Sequence, residues 1–137
     1  MNTQRFPYAP IPPFSCGMPV VTVRLAHETC SLVTTALVDS GAAMNLLPFE
    51  YGEQLGFMWN EQRLALPMGG LLPHAKAFAV PVTLTLDPFP PVELAFAWTD
   101  VSQTRLRVLL GQINFFQSFK VTFTAYEQHF EICPKSS

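Results

Sequence analysis

Leu37-Val38-Asp39-Ser40-Gly41-Ala42 ends an apolar run on an acid, a hydroxyl and a glycine. An apolar strand ordinarily continues into the core, so a carboxylate at its end calls for a chemical reason. The Ser40 hydroxyl and nearby backbone N–H groups can hold the Asp39 carboxylate, and Gly41 allows a turn and a close approach. The chain then resumes with Met44-Asn45-Leu46-Leu47-Pro48, again mostly apolar. An ionisable group carried on such a rigid loop suits acid–base work. The plain alternative is an Asx-type turn that caps a strand.

The only other aspartates are Asp87, before Pro88, and Asp100, between Thr99 and Val101. Neither lies in a second Asp-Ser/Thr-Gly turn.

These residues carry a family resemblance. Ala36 to Ala42 resembles the catalytic loop of the retropepsin-like aspartic peptidases. Val108-Leu109-Leu110-Gly111, followed by Ile113-Asn114-Phe115-Phe116, resembles that family's second signature. The tripeptide alone is common by chance; the two signatures in this order, over residues 19 to 133, carry the resemblance. It implies an all-β, small closed barrel-like acid-protease fold with one or two short helices, one domain per chain, as a homodimer. It implies catalysis by Asp39, Ser40 and Gly41, with substrate contacts at Ala42 and a flap at Met68, Gly69, Gly70 and Leu71. Aspartic peptidase chemistry needs two carboxylates, one as base to the attacking water and the other, protonated, donating to the peptide carbonyl. With one such turn per chain, the resemblance implies a pair made by Asp39 from two copies about a twofold axis. Leu109, Leu110 and Gly111 would cross behind the catalytic loop. Ser40 could bond across the dimer, and Phe130 to Cys133 would enter an interface sheet. The activity implied is an aspartic endopeptidase acting on an extended peptide or protein without metal or cofactor. A catalytically inactive, dimeric peptide-binding relative is the alternative. Viral members place an acid where Ala43 stands and an arginine where Gln112 stands. Both ends of that ion pair are missing together, which leaves no charge unpaired.

The elements that must position this loop read as strands. Val21, Val23 and Leu25 alternate with polar or small residues, as do Val82, Leu84 and Leu86, then Leu94, Phe96 and Trp98, and Phe119, Val121 and Phe123. Phe130 and Ile132 complete the pattern. Short alternating strands with Pro and Gly between them indicate a small all-β barrel or sandwich. Pro48 suits the first position of a helix that stops at Gly56, and a second helix is expected over 113–118. The organisation expected is a proline-rich arm over 1–18, a domain over 19–133 and a tail over 134–137. The arm reads as extended chain lying on its own domain, with crossing to a partner or proteolytic trimming as alternatives.

Composition narrows the partners. The chain has 137 residues, enough for one domain. Apolar residues make up 49% and charged residues 13%, against about 25% charged in an average domain. An interface with another copy is the simplest use of that apolar surface. A net charge of −2 gives no case for nucleic acid or an anionic membrane. Cys16, Cys30 and Cys133 cannot all pair within one chain, and Met1 to Arg5 leads into prolines. Reduced thiols and a cytoplasmic setting are expected. His27 with Cys30, and His129 with Cys133, offer zinc-binding types, but His27 and Cys30 on one strand would face opposite sides. His74 reads as a solvated hairpin residue.

Overall fold

The computed structural model describes residues 2–13, 15–68 and 74–135. Its strands are β1 (Gln4–Pro7), β2 (Ala9–Pro10), β3 (Gly17–Met18), β4 (Val20–His27), β5 (Cys30–Val38), β6 (Leu46–Leu47), β7 (Ala65–Leu66), β8 (Ala77–Thr85), β9 (Val92–Thr99), β10 (Val108–Leu110), β11 (Phe119–Thr124) and β12 (His129–Pro134). Two helices, α1 (Phe49–Gln54) and α2 (Phe115–Ser118), interrupt them.

Alternation decides which face of each strand goes inward. Val21, Val23 and Leu25 of β4 are buried, as are Val82 and Leu84 of β8 and Leu94, Phe96 and Trp98 of β9. These faces meet because the strands close on themselves. The order is β4-β5-β10-β6-β9-β8, and β8 pairs back onto β4 through Arg24↔Thr85, Leu25↔Leu84 and Ala26↔Thr83. The result is a six-stranded closed barrel, with β7 added on β8. Closure leaves the barrel strands without a long open edge.

Two strands run parallel at the heart of it. β5 and β10 pair through Ala36↔Val108, Leu37↔Leu109 and Val38↔Leu110, and β10 pairs antiparallel with β6 at Leu109↔Leu46. The C-terminal ends of β5 and β10 therefore emerge side by side.

Helix α1 starts after Pro48, which caps it instead of occupying its first turn. It ends with Gly56 at φ 89°, where Gly56 N–H donates to Glu53 and Phe57 N–H to Gly52. That left-handed residue and its two bonds form a glycine C-cap. Helix α2 is shorter than the expected 113–118. Ile113 N–H is already taken by Ala43 O, and Asn114 at φ 75° makes a γ-turn with Phe115 N–H on Ile113 O. Helical geometry can begin only after that reversal.

The terminal strands form a second sheet in the order β1-β12-β11. This corrects the expectation for Phe130 to Cys133. Strand β12 lies in the middle, pairing with Gln4–Pro7 on one side and Phe119–Thr124 on the other. Both its edges are satisfied within the chain, so none is left for interleaving with a partner. Phe6 stacks on Phe130 at 5.5 Å, and Tyr8 meets the same ring edge-on. Burial raises the Tyr8 pKa.

Candidate functional site

Asp39 is the first residue beyond β5, and its backbone N–H donates to Leu110 O at 2.9 Å. The barrel's parallel pairing thus runs one residue further than the strands and fixes the acid at their end. Asp39 Oδ1 accepts from Gly41 N–H at 2.9 Å, and Asp39 O accepts from Ala42 N–H at 3.1 Å. Among the described residues nothing else in the chain bonds this carboxylate. It is half-buried, with Ser40 and Gly41 exposed beside it.

Gly41 is required here for space. It is not among the residues with positive φ, and a Cβ on it would stand 3.3 Å from Asp39 Oδ1. A side chain would crowd the acid that the Gly41 N–H holds.

Leu109, Leu110 and Gly111 cross behind the loop. Leu110 is fully buried in the main core, and Gly111 lies against the loop's backbone. A Cβ at Gly111 would meet Ala42 O and Met44 O, each at 2.7 Å. No side chain fits between the two crossing segments. Gln112 N–H donates to Ala42 O, Ile113 N–H donates to Ala43 O, and Met44 and Ile113 form a parallel bridge. Gln112, at the position of the missing viral-type arginine, donates from Nε2 to Ser40 O at 2.6 Å. A neutral amide ties the Asp39 loop to the segment after Gly111 where the ion pair is absent.

Asn45 is the residue the sequence reading passed over. It is fully buried, yet both ends of its amide are paired. Oδ1 accepts from Gly111 N–H at 2.8 Å, and Nδ2 donates to Ala95 O at 3.0 Å. Its carbonyl accepts from Ala97 N–H. One side chain therefore links the loop, the second signature and β9. A polar residue inside Met44 to Pro48 was the available signal, since buried amides are kept only where they are satisfied.

Met68 is brought to the site's apolar flank. It packs with Met44, Leu66 and Leu109 around Leu46, Ala77 and Ala97. Strands β7 and β8 are antiparallel neighbours on either side of residues 67–76. Gly69, Gly70 and Leu71, expected as the flap tip, lie outside the described residues. The base of this connection is pinned by Asp100, whose Oδ1 accepts from Lys76 N–H at 3.0 Å, while Lys76 O accepts from Asp100 N–H. Asp100 is thereby structural. Asp87 is exposed beside the Leu86–Phe89 turn.

The histidine–cysteine geometry differs from expectation. His27 ends β4 and Cys30 begins β5, and the two are cross-strand partners over a two-residue turn. They face each other because they belong to two strands. Among the described residues no group of three or more His, Cys, Asp or Glu is placed to hold a metal ion. No helix there is long and apolar enough to cross a membrane.

No protein-family model matches the sequence, and no curated protein matches it. Among solved structures, the chain is similar to a retropepsin-like aspartic protease from Rickettsia conorii. The two are 13% identical over 96% of this chain and 91% of that one, with a TM-score of 0.67. At that identity the likeness is one of fold, and the fold is retropepsin-like.

Proposed function

We propose that the protein is an aspartic endopeptidase whose catalytic dyad is Asp39 and the partner's Asp39 across a homodimer twofold axis. The observation that carries the reading is the state of Asp39. Its backbone is fixed between two crossing segments, one oxygen is oriented by Gly41 N–H, and among the described residues no second carboxylate of the chain stands beside it. Retropepsin-like architecture and the exposed Ile113 next to the loop, 50% accessible, fit a second copy docking at this end. The terminal sheet is not needed for that contact.

Two carboxylates brought together at the axis share one proton, since both cannot ionise side by side. The ionised member takes a proton from water as the water oxygen attacks the peptide carbonyl carbon. The protonated member donates to the carbonyl oxygen, giving a gem-diol. Collapse re-forms the carbonyl and returns protons to the carboxylates and the leaving nitrogen, breaking the C–N bond. Ala42 and the Met68 cluster would line the bound extended peptide. Three free cysteines, Cys16 among them exposed, fit a reducing, cytoplasmic setting.

The test is cleavage of a peptide library from about pH 4 to 7, the range bracketing a shared-proton dyad. The wild type is expected to cleave, while Asp39→Asn loses cleavage and keeps its thermal midpoint. Cleavage retained in Asp39→Asn overturns the mechanism. Peptide binding without cleavage by the wild-type dimer favours a binding module instead.

A further inference from the structure

The middle of β5 and the start of β10, away from Asp39, frame a second polar site. The chain between β9 and β10 turns at Ser102, whose carbonyl accepts from Arg105 N–H and Leu106 N–H. Arg105 and Arg107 then line a cavity of about 310 Å³, opposite Thr34, Thr35 and Tyr51. Neither arginine has a carboxylate within ion-pairing distance among the described residues. Both guanidinium groups are exposed and lie within three residues of each other in a chain of net charge −2. They do not belong to a generally basic surface.

The polar groups facing them add a donor. Arg107 Nη1 donates to Thr35 Oγ1 at 3.2 Å, so that hydroxyl keeps its own proton to give. The Thr34 and Tyr51 hydroxyls bond each other at 3.1 Å on the cavity's other wall. Glu50, beside Tyr51 in sequence, does not line the cavity. Both its oxygens are engaged, by Ser102 Oγ and Gln103 N–H, each at 2.7 Å. The cavity thus gathers two fixed positive charges and the Thr35 hydroxyl, and the acid behind its wall is already answered by other groups.

We propose that this cavity binds a small oxyanion, a phosphate or carboxylate group, held by Arg105 and Arg107 and by the hydroxyl of Thr35. Guanidinium forks match such groups in geometry and stay charged at every physiological pH. The site is separate from the dyad. Thr35 and Arg107 each lie four residues before Asp39 and Gly111 on paired strands, about 13 Å along at about 3.3 Å per residue. An anion bridging them staples the middle of β5 to the start of β10, the two strands that lead to the Asp39 loop and Gly111. The proposal stands whether or not the protein is a peptidase.

The experiment uses the full chain carrying Asp39→Asn, so that no peptide is consumed. Inorganic phosphate, and in a second arm a short phosphoserine peptide, is titrated at constant ionic strength against chloride. The readout is the arginine side-chain N–H resonances. Saturable shifts at Arg105 and Arg107 are expected, with affinity lowered about tenfold or more by Arg105→Gln combined with Arg107→Gln. Arg63→Gln, an exposed arginine elsewhere, should leave it unchanged. Should the double variant fail to fold, each single variant must still weaken binding. Tighter binding of the peptide than of phosphate identifies a substrate or partner side chain as the source; equal or weaker binding identifies a free ion. No saturable shift, or equal affinity in the arginine variants, overturns the proposal.

Discussion

Asp39 and Glu50 lie eleven residues apart, and their oxygens have opposite duties. Glu50 gives both oxygens to the loop after β9, accepting from Ser102 Oγ and Gln103 N–H. Those two bonds, Gln103 first, hold its carboxyl below the usual carboxylate range. Asp39 accepts one bond inside its own turn, and its loop is held by other residues: Leu110 O, Gln112 Nε2 and the buried amide of Asn45. An acid with both oxygens bonded is anchored and does structural work. Asp39 is placed by its neighbours, and among the described residues one of its oxygens has no partner.

The largest expected effect tests whether Asp39 acts as half of a pair. A tandem dimer, two copies joined by a flexible linker, should lose about 10³-fold of its cleavage rate when only one copy carries Asp39→Asn. Two independent sites would retain about half the rate, and that result, seen in single-turnover assays, would break the dyad.

A smaller effect is expected from the residue that holds the loop. Asn45→Ala leaves Gly111 N–H and Ala95 C=O without their partner in a buried place, at a cost of about 3 kcal/mol. Urea unfolding should read that loss. A variant as stable as the wild type would show that the loop does not depend on this amide.

The smallest expected effect concerns Glu50. Its folded pKa is lowered, so its contribution is fully present above the unfolded value of about 4.3 and fades as pH falls through the folded one. The thermal midpoint should therefore drop between pH 6 and pH 3 by about 1–3 °C more in the wild type than in Glu50→Gln. An identical drop in both would mean that Glu50 does not anchor the loop at 102–104.

Much of this molecule was legible locally. Alternation in β4, β8 and β9 announced buried faces because a strand's side chains change sides at every residue. The Gly56 cap was legible for a similar reason, since a left-handed residue after a helix favours glycine. Strand β5 was less visible. Ala36 and Val38 point inward, but outward positions carry Val33 and Leu37, so no period of two stands out. At the site, the sequence supplied Asp39, its turn, and Gly111 behind it.

The sequence by itself determined the inward faces of β4, β8, β9 and β12, where an acid ends an apolar run, and that one chain carries a single such acid. Those properties depend on near neighbours along the backbone. Only the tertiary structure decided the rest. It made β12 a central strand, set His27 against Cys30, and put Asn45 between Gly111 and Ala95. It also made Gly111 obligatory, because two backbones cross there at 2.7 Å from any Cβ it might carry. Pairing partners come from distant parts of the chain, and a buried amide reveals its purpose only when the groups it must satisfy have been brought around it.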